Sequence, residues 1–148
     1  MRDGLRVGEI FTHSYVVPPD KTVRHLYPES PEFAEFPEVF ATGFMVGLME
    51  WTCVRALTPH LEPGEGSLGT EIRVTHTAAT PPGLTVTVTA ELLSVEKRRI
   101  RWRVTAHDGV DAIGSGTHER AVVTLDRFTA GMREKLARGT AAGPAVSP

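Results

Sequence analysis

Hydrophobic and polar positions alternate along most of the chain and lose that alternation in one central stretch. From Val7 to Val17, β-branched and aromatic residues recur at close spacing until Pro18-Pro19 stops them, which predicts a first strand. From Val39 to Leu57 apolar residues instead occupy almost every side of a helical pattern, among them Phe40, Phe44, Met45, Leu48, Met49, Trp51, Cys53 and Val54. A helix apolar all round is a buried one. Gly43 and Gly47 lie four apart, which strips one flank so that another backbone can approach, and Pro59 with Glu62-Pro63-Gly64-Glu65-Gly66 ends the element. Four more strands follow: Ser67–Thr77, Leu84–Val95, Ile100–Val104 and Ala112–Leu125. Leu84-Thr85-Val86-Thr87-Val88-Thr89-Ala90 alternates strictly, so one face is buried and the other wet. Asp108-Gly109 is a hairpin signal.

Between the first strand and the helix, prolines punctuate Lys21 to Glu38. Ser30-Pro31-Glu32 reads as a helix start, with serine as N-cap and proline at the first helical position. Pro37 ends that helix within about two turns. So short a helix has little stability of its own, and its Phe33 and Phe36 need a surface to lie on, either as a lid over a pocket or as closure of the core. The stretch from Ala137 is rich in Ala, Gly and Pro and is predicted disordered, which leaves residues 1–136 as a single domain and 137–148 as a tail. One strand, a buried helix and an antiparallel meander is the order of an α+β hot-dog fold, an antiparallel sheet wrapped around a long central helix, here with a short lid helix. Such a sheet has an open edge, which pairing with a second copy would cover.

Composition narrows the setting. The chain has 148 residues, 41% hydrophobic and 23% charged, with a net charge of −2. That gives no support for a nucleic-acid or anionic-membrane surface. Phe40 to Trp51, the most apolar window, is too short to span a bilayer. Cys53 is the single cysteine, and no apolar run follows Met1-Arg2-Asp3-Gly4, so a reducing, cytoplasmic setting is expected. The six histidines are scattered without zinc spacing, and neither a phosphate loop nor a GxSxG elbow is present. No metal or cofactor is implied.

The residues with chemical promise are few. At about 100° per residue, Thr42 and Glu50 share a helical stripe with Val46, Cys53 and Leu57. A carboxylate in so apolar a helix is either functional, at the surface, or paired with an arginine. His76 falls on the more apolar parity of its strand, with Leu68, Thr70, Ile72 and Val74, and can be a satisfied core residue or an acid–base group. Arg120 shares a parity with Gly114, Gly116 and His118, so it either turns inward towards Glu50 or lies on the surface beside Glu119. The glycines mark a bend or a close backbone approach.

Five segments then resemble a known family: Thr22-Val23-Arg24-His25-Leu26-Tyr27-Pro28, Phe40-Ala41-Thr42-Gly43-Phe44-Met45-Val46-Gly47-Leu48-Met49-Glu50-Trp51, Gly66-Ser67-Leu68-Gly69-Thr70, Val74-Thr75-His76-Thr77 and Gly116-Thr117-His118-Glu119-Arg120. The chain is similar to the fluoroacetyl-CoA thioesterases, hot-dog enzymes of fluoroacetate resistance, up to about Glu134. The resemblance implies a catalytic triad of Thr42, Glu50 and His76, with Thr42 hydrogen-bonded to Glu50. It implies that the Gly69 amide contacts the thioester oxygen and that Arg120 holds the site in order. Phe33 and Phe36 would form a hydrophobic lid, with Val23 and Leu26 nearby. The implied partners are fluoroacetyl-CoA or a similar short acyl-CoA, taken in preference to acetyl-CoA, and a second copy in a homodimer. The alternatives are a thioesterase for another short acyl-CoA, a hydratase or dehydratase, and a non-catalytic acyl-CoA-binding module.

Overall fold

The computed structural model describes residues 1–143. Five antiparallel strands form one sheet in the order β1-β3-β4-β5-β2: β1 Ile10–Val16, β2 Glu65–His76, β3 Thr85–Glu96, β4 Arg99–His107 and β5 Ala112–Thr124. The alternation that predicts these strands also sets their faces. In β4, Ile100, Trp102, Val104 and Ala106 are buried while the residues between them are exposed. Val86, Val88, Ala90 and Leu92 of β3 do the same beside them. Each of the valine, leucine and isoleucine side chains among them contributes about 1.5–3 kcal/mol by leaving water. Asp108 closes the β4–β5 turn by accepting from the Val110 and Asp111 amides at 2.9 and 2.8 Å.

Helix α1, Pro31–Ala34, is a single turn and so ends inside the limit that Pro37 sets. Ser30 caps it as predicted, its Oγ accepting from the Phe33 amide at 3.2 Å, with Pro31 in the first turn. Helix α2, Thr42–Leu57, lies in the curve of the sheet. It begins later than the apolar pattern does, because Phe40 is held in extended form by Thr22 and by the Thr80 carbonyl. Nor is it buried all round. Met45, Leu48, Met49, Cys53 and Leu57 face the sheet, whereas Gly43, Gly47, Arg55 and Trp51, the last 48% exposed, lie outside. Composition could not separate these faces, because the outer one is apolar too.

A third helix, α3, runs from Leu125 to Ala141. The chain therefore stays helical past Ala137, where disorder is expected, because Asp126-Arg127 to Lys135-Arg138 supplies good helix formers ahead of the small residues. Residues 144–148 of that tail lie outside the described residues.

The two glycines in β5 answer a steric demand. A Cβ on Gly116 would overlap the Arg73 carbonyl of β2, and one on Gly114 would stand 2.5 Å from the Thr75 oxygen. The close backbone approach that the paired glycines suggest is thus present, and it lets β2 coil tightly against β5. By contrast, a Cβ on Gly47 would meet nothing within 4 Å. Gly116→Ala should cost about 2 kcal/mol or more, since backbone cannot yield as a side chain can. Gly47→Ala should add about 0.5–1 kcal/mol through helix propensity. Differential scanning calorimetry of both variants should give melting shifts of opposite sign.

Candidate active site

The first half of the site lies where the N-terminus of α2 meets the end of β2. Thr42 Oγ1 and His76 Nδ1 are 2.7 Å apart, so the hydroxyl of the first helical residue fixes the imidazole plane. His76 Nε2 is buried and has no hydrogen-bond partner among the described residues. Burial pushes this imidazole below its ordinary value, against a backbone contact at Ala78, which favours the neutral ring. A neutral imidazole with one nitrogen engaged and the other free is equipped to take or return a proton.

A cavity of about 430 Å³ opens beside it, lined by Val23, Phe33, Phe36, Val39, Phe40, Thr42 and His76. Phe36 is 51% exposed on its rim, and Tyr27 packs on Phe33 with ring centroids 6.2 Å apart. The one-turn helix therefore forms a wall of this cavity. Leu26 is not among the lining residues. From the segment before α1 its side chain packs against α2, where a Cβ on Gly43 would stand 2.8 Å from its Cδ2.

The second half sits two turns further along α2. Glu50 Oε1 accepts from Arg120 Nη1 at 3.2 Å. Arg120 is buried, and its Nε and Nη2 donate to Ser67 Oγ and the Ser67 carbonyl, both at 2.9 Å. Nη1 also meets His118 Nε2 at 3.2 Å. The Glu50 side chain remains 41% exposed, which leaves its carboxylate within reach of solvent. Gly69 makes the room for it, since a Cβ there would stand 2.6 Å from Glu50 Oε1.

Parity alone would have turned Gly69 to the outer face. The register between β2 and β5 shifts between Gly69 and Glu71, so that Gly69 pairs with Arg120 and Ile72 with His118. Thr70 is the extra residue of this bulge, and bulges re-aim side chains. Ile72, Val74 and His76 keep the inward parity expected of them, but before the bulge it is Ser67 and Gly69 that face the helix, not Leu68 and Thr70. A single strand thereby serves both halves of the site.

Several expectations change with this geometry. Thr42 bonds His76 and not Glu50, because eight residues of helix separate the two by about 12 Å. Glu50 has instead the arginine partner that its buried surroundings allow for. Arg120 is inward, 6% exposed, and not a surface residue beside Glu119. His118 and Ser67 were not singled out from sequence, although His118 shares the inward parity of Arg120. Cys53 is packing: burial pushes its thiol up to about 12, so it stays protonated. Among the described residues no cluster of three His, Cys, Asp or Glu could hold a metal.

Known proteins carry the same arrangement of chain. The model of the fluoroacetyl-CoA-specific thioesterase family matches residues 17–126. The fluoroacetyl-CoA thioesterase of Streptantibioticus cattleyicolor is 79% identical over 139 residues, which cover 94% of this chain and all of that protein. A solved structure of the fluoroacetyl-CoA thioesterase FlK superposes with a TM-score of 0.89 at 81% identity, covering 90% of this chain and 98% of that one. A mutant of the same enzyme, solved in complex with fluoroacetate and CoA, superposes at 0.83 and 82% identity over 84% of this chain and 99% of that one. With a family match over most of its length and relatives this close, the chain belongs to the fluoroacetyl-CoA-specific thioesterase family.

Proposed function

We propose that this protein hydrolyses fluoroacetyl-CoA to fluoroacetate and CoA in the cytoplasm, a detoxifying role, with Thr42, Glu50 and His76 as its catalytic residues. The observation that carries the assignment of the site is the free, buried Nε2 of His76 beside an apolar cavity. The small acyl group is taken to lie against Val23, Phe33 and Phe36, with Leu26 bracing the nearby segment against Gly43 of α2. Glu50 either attacks the thioester carbonyl or activates the water that does. The Gly69 amide is assigned to the developing oxyanion, and Arg120 holds the carboxylate in place.

Within one chain the Thr42–His76 pair and the Glu50–Arg120 pair are too far apart along α2 to act on one carbonyl. We assign their union to a homodimer. Strand β2 is the sheet's last strand, twelve residues long, and none of its residues is buried. Long open edges recruit a strand. Antiparallel pairing of β2 with its copy about a two-fold axis near Arg73 would set the Gly69–Thr70 bulge of one protomer against His76 of the other. Each of two equivalent sites would then draw on both copies.

Selectivity over acetyl-CoA has a chemical origin in this reading. Even a whole methylene is worth only about 1–3 kcal/mol in a pocket, and fluorine is little larger than hydrogen. Its inductive pull, however, acidifies the adjacent C–H, and His76 Nε2 is assigned as the base that removes that proton. The electron pair forms an enolate that expels the CoA thiolate, and the ketene left behind takes the attack assigned to Glu50 or its water while the imidazolium returns the proton to carbon.

Three results should follow. Glu50→Gln, which keeps shape and loses charge, should lower thiol release from fluoroacetyl-CoA by roughly a hundredfold or more; activity within a few-fold of wild type would take Glu50 out of the chemistry. Light scattering should give twice the chain mass, and Arg73→Cys should cross-link between copies on oxidation; a monomer, or no cross-link in a dimer, would remove this pairing. Single-turnover hydrolysis of fluoroacetyl-CoA should slow when its α-hydrogens are replaced by deuterium, and His76→Ala should lose far more rate on fluoroacetyl-CoA than on acetyl-CoA. If deuterium makes no difference and the mutant keeps the substrate ratio, His76 serves only the leaving thiolate.

A further inference from the structure

Arg120 is 6% exposed, so its donors must be satisfied by protein. Two of them, on Nε and Nη2, are taken by Ser67 at 2.9 Å each. That occupies one edge of the fork that an arginine ordinarily offers a carboxylate in a two-point pair. Three of its five N–H remain, and the two on Nη1 have two acceptors in reach: Glu50 Oε1 and His118 Nε2, both at 3.2 Å. His118 is itself 2% exposed. Its Nδ1 stands 2.8 Å from the Glu71 carbonyl, which can only accept. The proton is therefore on Nδ1, and Nε2 presents a lone pair to the guanidinium.

We infer that His118 is a positioning residue for thioester hydrolysis: by accepting from Arg120 Nη1 it confines the guanidinium to a single contact with Glu50 and leaves Oε2 of that carboxylate free. The inference rests on the reading of Glu50 as the reacting carboxylate. A guanidinium released from His118 and Ser67 could turn to bind both oxygens of Glu50, which would neutralise the group the reaction needs. The bulge in β2 is part of the device, since it carries the Glu71 carbonyl that sets the tautomer. The groups facing the imidazole are that carbonyl from β2, Glu50 from α2, Trp102 paired across β4 and Arg120 on its own strand. Protonation would turn Nε2 from acceptor to donor and set two donors against each other. Burial pushes the ring below its ordinary value and opposes that change.

Two amide substitutions separate the ring's two contacts. His118→Asn keeps a donor for the Glu71 carbonyl but has nothing at the Nε2 position. His118→Gln can place its amide oxygen there. Thiol-release kinetics should show kcat lowered by roughly ten- to a hundredfold in His118→Asn with KM nearly unchanged, and most of that loss restored in His118→Gln. In a Glu50→Gln background, His118→Asn should cost nothing further. Equal loss in both amide variants, or loss in neither, would overturn the inference. The imidazole nitrogen shifts of the wild-type enzyme decide the tautomer without any variant: Nδ1 protonated and Nε2 bare is expected, and a protonated Nε2 would overturn it. If Glu50→Gln alone keeps near-full activity, the reading of Glu50 fails, while the nitrogen shifts still decide the clamp.

Discussion

Arg120 carries its charge into the contact between sheet and helix, where an unpaired cation would be strongly destabilising. Neighbouring features answer that demand. Ser67 turns inward to give two oxygens, which requires the strand to change phase at Thr70. Gly69 gives up its side chain so that Glu50 can approach. The same residue would have been affordable as a surface arginine on β5, and the local structure would then have been a regular two-strand ladder. One buried charge thus connects an irregularity of backbone, a missing side chain and the placement of a carboxylate.

Helix α2 supplies the scale on which the rest is arranged. Its buried side is set by Met45, Met49, Cys53 and Leu57 against β3 and β4, and that packing fixes the rotation of the whole helix. Thr42 and Glu50 flank the packed side, one at the first residue of the helix and the other near its middle. Neither can shift towards the other without dragging the core with it, because close-packed interiors transmit strain. The spacing between the two halves of the site is therefore a property of the core, and chemistry that needs both must be assembled around that spacing.

Much of this was legible in the sequence. Strict alternation located β3 and β4 and told their faces apart, because period-two burial leaves a direct trace in residue type. Ser30-Pro31 marked a helix start for the same reason, since the cap is a local hydrogen bond. Glu50 and His76 stood out as polar groups in apolar surroundings. What stayed hidden depended on distant partners. The bulge at Gly69–Glu71 is a feature of the pairing with β5, and a single strand's pattern has no means of declaring an extra residue. The outer flank of α2 carries Trp51 and glycines, so hydrophobicity could not reveal that it is open. His118 looked like one scattered histidine because its partners, Glu71 and Arg120, come from another strand and from two residues ahead. The helix that continues past Ala137 was masked by small residues whose composition resembles a linker.

The bulge in β2 also makes the phase of the strand, at one point, more important than its length. With Thr70 removed, Gly69 would stay opposite Arg120 and Glu71 opposite Glu119, and plain alternation would keep Ser67, Gly69 and Ile72 on the inner face. A regular strand of the present length would instead turn Leu68 and Thr70 inward, send Ser67 to solvent and deprive the guanidinium of both of its oxygens. Two chains of this fold that differ by one gap at this position can therefore share an interior, whereas two of equal length, one bulged here and one regular, cannot, and similarity counted by identities would register the first difference and miss the second.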